Sequence, residues 1–451
     1  MLPMHDFTEE TERLARAIEA YARDRIALPQ PLDRTVSVEE LDTLAGQTIS
    51  PDGIGWEEAL RLWADVLAPA TISTDHPTAF AFIPGAPTRA SILFDLIVGA
   101  SSTIAAGWID GAGAIWAENQ ALRWVADLAG FPPQSGGVFV SGGSAGNLSS
   151  LVTARHAAAE RRGGRPDRWR LAASDTAHAS VTSAARVMDV DVLSVPHDPR
   201  GRLTGDALLT TLDEDGAEGI FAVVASAGST NAGTVDDLAG VADVCADLGL
   251  WFHVDGAYGG AALLAPSARP LFDGLERADS FIVDPHKWLF SPYDACALLY
   301  RDPSLALATH RQLASYLDTA LSTPDWNPAD YAYHLSRRAR GLPLWFSLAT
   351  YGTDAYREAV ETVLTITRQT AEAIDAHPNL ELLMEPDLSV LLFRRIGWGP
   401  DEYDAYWRRL LDAQIAFVQP TSWQGEKVAR LCFVNPLTTL DHVRAVLGTM
   451  T

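Results

Sequence analysis

The chain reads as an α/β protein: a mostly parallel sheet covered on both faces by helices, preceded by a helical segment and followed by a small α/β region. Three observations carry this. From residue 137 onward, short β-branched or apolar runs alternate with helical stretches. Those runs are too continuously apolar for a sheet with one wet face, which points to parallel strands buried on both sides. And 451 residues exceed the roughly 100–200 of one ordinary domain, leaving room for a large unit and a small one.

Taken in order, residues 6–27 place Phe7, Leu14, Ile18 and Tyr21 on one side of a helix. A loop with Pro29 and Pro31 follows, then a helix over 56–67. Phe80-Ala81-Phe82-Ile83-Pro84-Gly85 reads as extended chain entering a turn. A helix over 114–129 stops at Gly130-Phe131-Pro132-Pro133, a glycine-then-proline terminator. Strands are expected at 138–140, 170–173, 190–195, 220–225, 251–254, 281–283 and 295–300. Residues 302–343, with Ser322-Thr323-Pro324-Asp325-Trp326-Asn327-Pro328, read as loop. A helix over 344–376 leads into further strands at 389–393, 416–418 and 428–434. Parallel sheets bind ligands at the carboxyl ends of their strands, so the residues just after each run are the ones to inspect.

Composition excludes several function classes. A formal charge of −24 argues against nucleic acid, since phosphate contacts need clustered Lys and Arg and clusters such as Arg161-Arg162 to Arg170 are interleaved with acids or turn residues. No apolar run nears the ~20 residues of a membrane span, and the first residues lack a basic-then-apolar signal pattern. Cys245, Cys296 and Cys432 are odd in number and widely spaced, which fits neither a disulfide framework nor a zinc knuckle. The expectation is a soluble cytoplasmic protein without a bound metal.

Only two lysines occur, Lys287 and Lys427, in a chain whose other basic side chains are all arginine. Arginine cannot lose its proton and attack an aldehyde; a desolvated lysine amine can, as Schiff-base chemistry requires. Lys427 stands in Gln424-Gly425-Glu426-Lys427, a solvated turn; Lys287 stands in Asp284-Pro285-His286-Lys287-Trp288, after a strand. Three other strand ends carry candidate chemistry. Gly142-Gly143-Ser144-Ala145-Gly146-Asn147 opens a helix, and small residues there let backbone amides approach a phosphate; a plain turn capped by Ser144 has the same pattern. His178 can stack on a planar ring or serve as a cap. Asp255, at the tip of a buried strand, needs a cationic or donor partner, such as a pyridinium nitrogen, or caps a helix. All four fall at strand ends in chain order, which makes coincidence a poor account of them.

At these residues the chain resembles the group II pyridoxal-phosphate-dependent amino-acid decarboxylases, whose best-known members act on aromatic amino acids and glutamate. The matching stretches are 141–148, 174–180, 225–234, 252–260, 284–289, 336–341 and 430–436, and Asp-Pro-His-Lys-Trp is the most specific. The resemblance implies a fold type I, aspartate aminotransferase-like architecture, with an N-terminal helical segment over 1–75, a cofactor-binding domain over 76–345 and a small domain over 346–451. It implies pyridoxal 5'-phosphate as cofactor, an amino acid as substrate, and a homodimer with shared active sites. By position Lys287 matches the lysine that carries the cofactor, His178 the ring-stacking histidine and Asp255 the acid paired to the pyridine nitrogen. Gly143, Ser144, Asp284 and His286 match phosphate-side positions, although some relatives have Asn where Asp284 stands and an acid there repels phosphate. Ser229 matches a small hydroxyl residue near the cofactor.

The same resemblance implies decarboxylation to an amine, with a loop tyrosine upstream of Arg337-Arg338-Ala339-Arg340 returning the proton to Cα. Tyr331, which follows Asp330, is the first choice and Tyr333 the second. Phe82 and Ile83 match the wall of the side-chain pocket. Ala106 stands where animal relatives place a bulky aromatic, so the pocket is expected to admit an aromatic or otherwise bulky side chain. Decarboxylation coupled to oxidative deamination, giving an aldehyde, and a transaminase, aldolase or lyase reaction on the same fold are the alternatives.

Overall fold

The computed structural model describes residues 4–27, 29–312 and 326–450. Its centre is a seven-stranded sheet of β1 (Gly136–Val140), β2 (Arg170–Ser174), β3 (Asp191–Val195), β4 (Ile220–Ser226), β5 (Trp251–Asp255), β6 (Ser280–Val283) and β7 (Cys296–Tyr300). The spatial order is β1-β7-β6-β5-β4-β2-β3. Strands β3, β2, β4, β5 and β6 pair in parallel, while β7 lies antiparallel to both β6 and β1. The connection from β6 to β7 contains no crossover helix, so the chain returns in the opposite sense.

Every residue of β4 and β5 is buried. Their side chains alternate between two apolar cores, as the period of a strand requires. In β2, Leu171 and Ala173 belong to one core and Ala172 to the other. Because β7 reverses twice, β1 points the same way as β6. The carboxyl ends of β1, β2, β4, β5 and β6 therefore open on one edge of the sheet.

A 34-residue helix, Leu342–Asp375, leads to a second sheet of β8 (Leu380–Leu382), β9 (Val390–Arg395), β10 (Thr421–Trp423) and β11 (Glu426–Cys432). It is antiparallel throughout, in the order β10-β11-β9-β8. No helix among the described residues is long and apolar enough to cross a membrane.

Several elements differ from the sequence expectation. The helix expected over 114–129 begins earlier, at Trp108, because Asp110 caps the Gly107 amide; glycines at 111 and 113 mask the pattern. Residues 302–343 are not all loop: Pro303–His310 is a helix started by the Asp302 side chain and a proline in its first turn. Residues 322–325 of that stretch lie outside the described residues. Residues 416–418 form no strand, only a bridge from Phe417 to Ala79. The helices Val38–Ala45 and Arg89–Ala100 were not anticipated.

Candidate active site

The sheet edge described above encloses a cavity of about 400 Å³. Its walls bring together Gly143 and Ser144 after β1, His178 after β2, Ser229 after β4, Asp255 at the end of β5, and Asp284, His286 and Lys287 after β6. Residues up to 144 positions apart in the chain thus meet in one space, as a parallel sheet allows.

Asp255 is held by two donors. The Asn147 amide gives Oδ2 a hydrogen bond of 2.9 Å, and the Ala257 N–H gives Oδ1 one of 3.1 Å. Lys287 places Nζ 3.1 Å from Asp284 Oδ2. Burial pulls its pKa down, but the charges of Asp284 and Asp255 and the bond to Asp284 outweigh it, so the net direction is up. The free amine is therefore an ammonium ion, where desolvation alone would favour the neutral nucleophile. Asp284 is nearly inaccessible and also accepts the Gly143 N–H at 3.2 Å. Its Oδ1 has no hydrogen-bond partner among the described residues. His286 accepts the Ala295 N–H through Nδ1 at 3.1 Å, and burial pushes its pKa down. Ser229 shares a 2.9 Å hydrogen bond with Thr234.

These residues fit pyridoxal phosphate. A Cβ on Gly143 would come within 3.2 Å of both Ala257 and Asp284, so only glycine keeps this corner open at the start of the helix Gly143–Arg162. The donors of a helix N-terminus suit a phosphate. The orphaned oxygen of Asp284 and the ammonium of Lys287 mark polar groups without a complete set of partners. Asp255, already a hydrogen-bonded carboxylate, suits a protonated ring nitrogen.

Five expected residues do not line this cavity. Tyr331 is buried and stacked on Trp326, with ring centroids 3.9 Å apart, and burial pushes its phenol up to about 12. It is thus packed into the core of its own chain. Tyr333 is 58% exposed and packs edge-on against His334. Ile83 is buried in the larger core and Ala106 is buried with its carbonyl accepting the Ala329 N–H, so neither walls the cavity. Phe82 is 63% exposed beside Phe417. The Arg337-Arg338-Ala339-Arg340 motif is structural in its first member. Arg337 forms a fully buried bidentate pair with Glu118 at 2.7 and 2.9 Å.

Other residues at the site escaped the sequence reading. Asn147 was quoted only as part of a small-residue run. Arg430 is buried and binds the carbonyls of Thr230 (2.7 Å), Asn231 (3.2 Å) and Phe82 (2.7 Å), fastening the cavity wall at Thr230 to the second sheet. Tyr258, also on the wall, is hydrogen-bonded to Ser389 at 2.5 Å and links the cavity to that sheet as well. Asp294 joins the wall and pairs with Arg340 at 2.8 Å.

Comparison with known proteins gives the same picture. A family model described as the pyridoxal-dependent decarboxylase conserved domain matches residues 42–396. An aromatic-L-amino-acid decarboxylase of Bacillus atrophaeus is 29% identical over 432 residues, which cover 93% of this chain and 89% of the relative. An L-2,4-diaminobutyrate decarboxylase of Acinetobacter baumannii is 27% identical over 445 residues, covering 91% and 86%. The crystal structure of Oryza sativa TDC with PLP and tryptamine superposes with a TM-score of 0.91 at 25% identity, over 100% of this chain and 98% of that one. The matched domain contains every wall of the cavity, and the chain belongs to the pyridoxal-dependent amino-acid decarboxylases: it is a carboxy-lyase that works with pyridoxal phosphate.

Proposed function

We propose that the substrate is an L-amino acid with an uncharged aromatic or otherwise bulky side chain, and that the products are the amine and CO2. One observation carries the choice of side chain: the cavity wall offers no spare lysine or arginine among the described residues. Lys287 is the one Lys or Arg among the described lining residues, and it pairs with Asp284. Asp255 is bonded to Asn147 and Asp294 to Arg340. Among the described lining residues no lysine or arginine is left for a second substrate carboxylate. Leaving such a charge unpaired in the cavity costs several kcal/mol. The likeness to an aromatic-L-amino-acid decarboxylase supports the same reading.

The residues divide the work as follows. Pyridoxal phosphate supplies an electron sink for the pair released when a bond to the substrate Cα breaks. Lys287 would hold the cofactor through its aldehyde. Asp255, fixed by its two donors, would face the ring nitrogen. His178 would lie against the ring. Gly143, Ser144 and His286 would serve the phosphate side, and Ser229 the wall near the ring.

The proton for Cα comes from Tyr333 in this proposal, since Tyr331 is committed to the core. Neither reaches the cavity of its own chain, which is one reason to propose a homodimer with shared sites. The other is an apolar surface: Leu93, Leu96 and Ile97 of the helix Arg89–Ala100, with Ile109 and Trp116 nearby, are each more than half exposed. A patch of that kind is normally covered by a second copy or a partner.

The test is incubation of the holoenzyme with single amino acids, following CO2 and identifying the second product by mass. Amine and CO2 in equal amounts from tryptophan, phenylalanine or tyrosine, with no keto acid supplied, is the expected result. Turnover of glutamate or diaminobutyrate in their place overturns the side-chain assignment. Aldehyde, ammonia and peroxide in place of amine overturn the product.

A further inference from the structure

Behind the cavity runs a chain of hydrogen bonds that the proposed chemistry does not use. It starts at Trp251, whose indole can only donate and gives Nε1–H to Ser280 Oγ at 2.8 Å. Ser280 lies 2.8 Å and Ser150 3.0 Å from His253 Nδ1, with 2.6 Å between the two hydroxyls. The opposite ring nitrogen, Nε2, is 2.8 Å from Asn147 Oδ1. An amide oxygen only accepts, so the His253 proton sits on Nε2 and Nδ1 is the acceptor. Asn147 directs one amide proton to Asp255 Oδ2 at 2.9 Å and the other to Ser180 Oγ at 2.8 Å. Ser180 accepts that bond and turns its own proton on His178 Nδ1 at 2.8 Å, which also receives the Ser180 N–H at 3.2 Å.

The donors all point one way, from Trp251 to His178. Neither end permits reversal: an indole cannot accept, and a carboxylate at 255 cannot donate, which forces the amide nitrogen of Asn147 toward it. Ser150, His253, Ser280 and Asn147 are fully inaccessible, so no water competes. Asn147 and Ser150 share a helix face by their spacing of three, and His253 and Asp255 share a strand face by their spacing of two.

We propose that Asn147 is a positioning residue for both groups assigned to the cofactor ring: it orients the Asp255 side chain and, through Ser180, completes the pair of donors that keeps His178 protonated on Nε2, while His253 fixes the orientation of the Asn147 amide. The assignment rests on the cofactor site and not on the choice of substrate. Its readouts need no turnover, so an error in the substrate class leaves them untouched.

The experiment is long-range proton–nitrogen NMR on holoenzyme labelled with 15N-histidine, together with titration of pyridoxal phosphate into the cofactor-free protein. His178 in the unmodified protein is expected to be protonated on Nε2; Ser180→Ala leaves Nδ1 only the 3.2 Å backbone donor and is expected to shift the Nδ1 resonance while Nε2 stays protonated. Asn147→Leu does the same and also weakens cofactor affinity by about 10- to 100-fold, the loss of a hydrogen bond to a charged group. His253→Gln, which keeps a donor for Asn147, retains affinity that His253→Leu loses. Protonation of His178 on Nδ1 in the unmodified protein overturns the proposal. So does an Nδ1 resonance unchanged by Ser180→Ala, or equal affinities for the two His253 variants. The Ser180 and His253 arms stand even where Asn147→Leu does not fold.

Discussion

At one end of the cavity Asp255 accepts two hydrogen bonds from groups that are themselves buried and paired. At the other, Asp284 is just as buried but faces an ammonium ion and a helix-end amide, with one oxygen left without a partner. Both are aspartates at the tips of neighbouring parallel strands. The first end is finished in the absence of any ligand; its polar network is complete, which rigidifies it. The second is unfinished and strongly charged, as befits the end where a covalent bond and a phosphate are to be accommodated. A buried polar atom without a partner costs about 1–3 kcal/mol, and a phosphate, itself an acceptor, does not supply the donor that Asp284 Oδ1 lacks.

The comparison breaks most visibly at Lys287. Lys287→Ala removes the only amine at the unfinished end, and activity is expected to fall by about a thousand-fold or more, as when other covalent nucleophiles are deleted. Lys287→Arg is expected to fare no better, because arginine stays charged. Borohydride reduction followed by peptide mass locates the cofactor: an adduct on Lys287 in the unmodified protein and none in either variant. An adduct elsewhere would remove the basis for every role assigned around it.

The finished end is best probed by acid. His253 is buried and neutral, with its pKa lowered to about 4 by burial, against 6.5 when exposed. Between those values the unfolded chain binds a proton that the folded chain refuses. Stability therefore falls as pH drops from about 6.5 to 4, and this group ceases to matter below that. The loss amounts to about 3 kcal/mol over the window. Asp236, whose pKa is raised to about 7 by burial, has the opposite slope between pH 3.8 and 7. The measurement is accordingly the difference in urea unfolding between the unmodified protein and His253→Gln, in which Asp236 cancels. The variant is expected to keep more of its neutral-pH stability at pH 4.5; an equal loss in both proteins places the acid sensitivity elsewhere.

What could be read from the chain follows the same division. The strands were legible because continuous burial on both faces leaves continuous apolar runs, and the strand-end residues were legible because the fold delivers them to one edge. Lys287 stood out by scarcity and by its place in Asp284-Pro285-His286-Lys287-Trp288 after a strand. The network behind Asp255 was not legible, since its key bonds join residues 106 and 108 positions apart and depend on a helix face meeting a strand face. Tyr331 was misplaced for a related reason: its stacking on Trp326 is a tertiary contact in a segment without periodicity. Phe82, Ile83 and Ala106 were chosen from local resemblance, which says nothing about whether a side chain turns toward the cavity or the core.

The smallest expected effect is the sharpest test of the unfinished end. Asp284→Asn keeps the shape of the side chain, removes a negative charge beside the Gly143 amide and adds donors. If the phosphate lies there, the carboxylate opposes it: two like charges about 4 Å apart repel by up to about 4 kcal/mol at an effective dielectric of 20, less when the Lys287 ammonium sits between them. Pyridoxal phosphate is then expected to bind the variant about tenfold more tightly, or about 1.4 kcal/mol. The variant also deprives Lys287 of its partner and makes its amine easier to deprotonate, which alters the affinity for any aldehyde. Pyridoxal, which lacks the phosphate, shares that second effect and not the first, so the ratio of the two affinities isolates the phosphate. A ratio that rises with Asp284→Asn places the phosphate against residue 284. An unchanged ratio moves the phosphate away from that side chain and leaves Asp284 as the counter-ion of Lys287 alone.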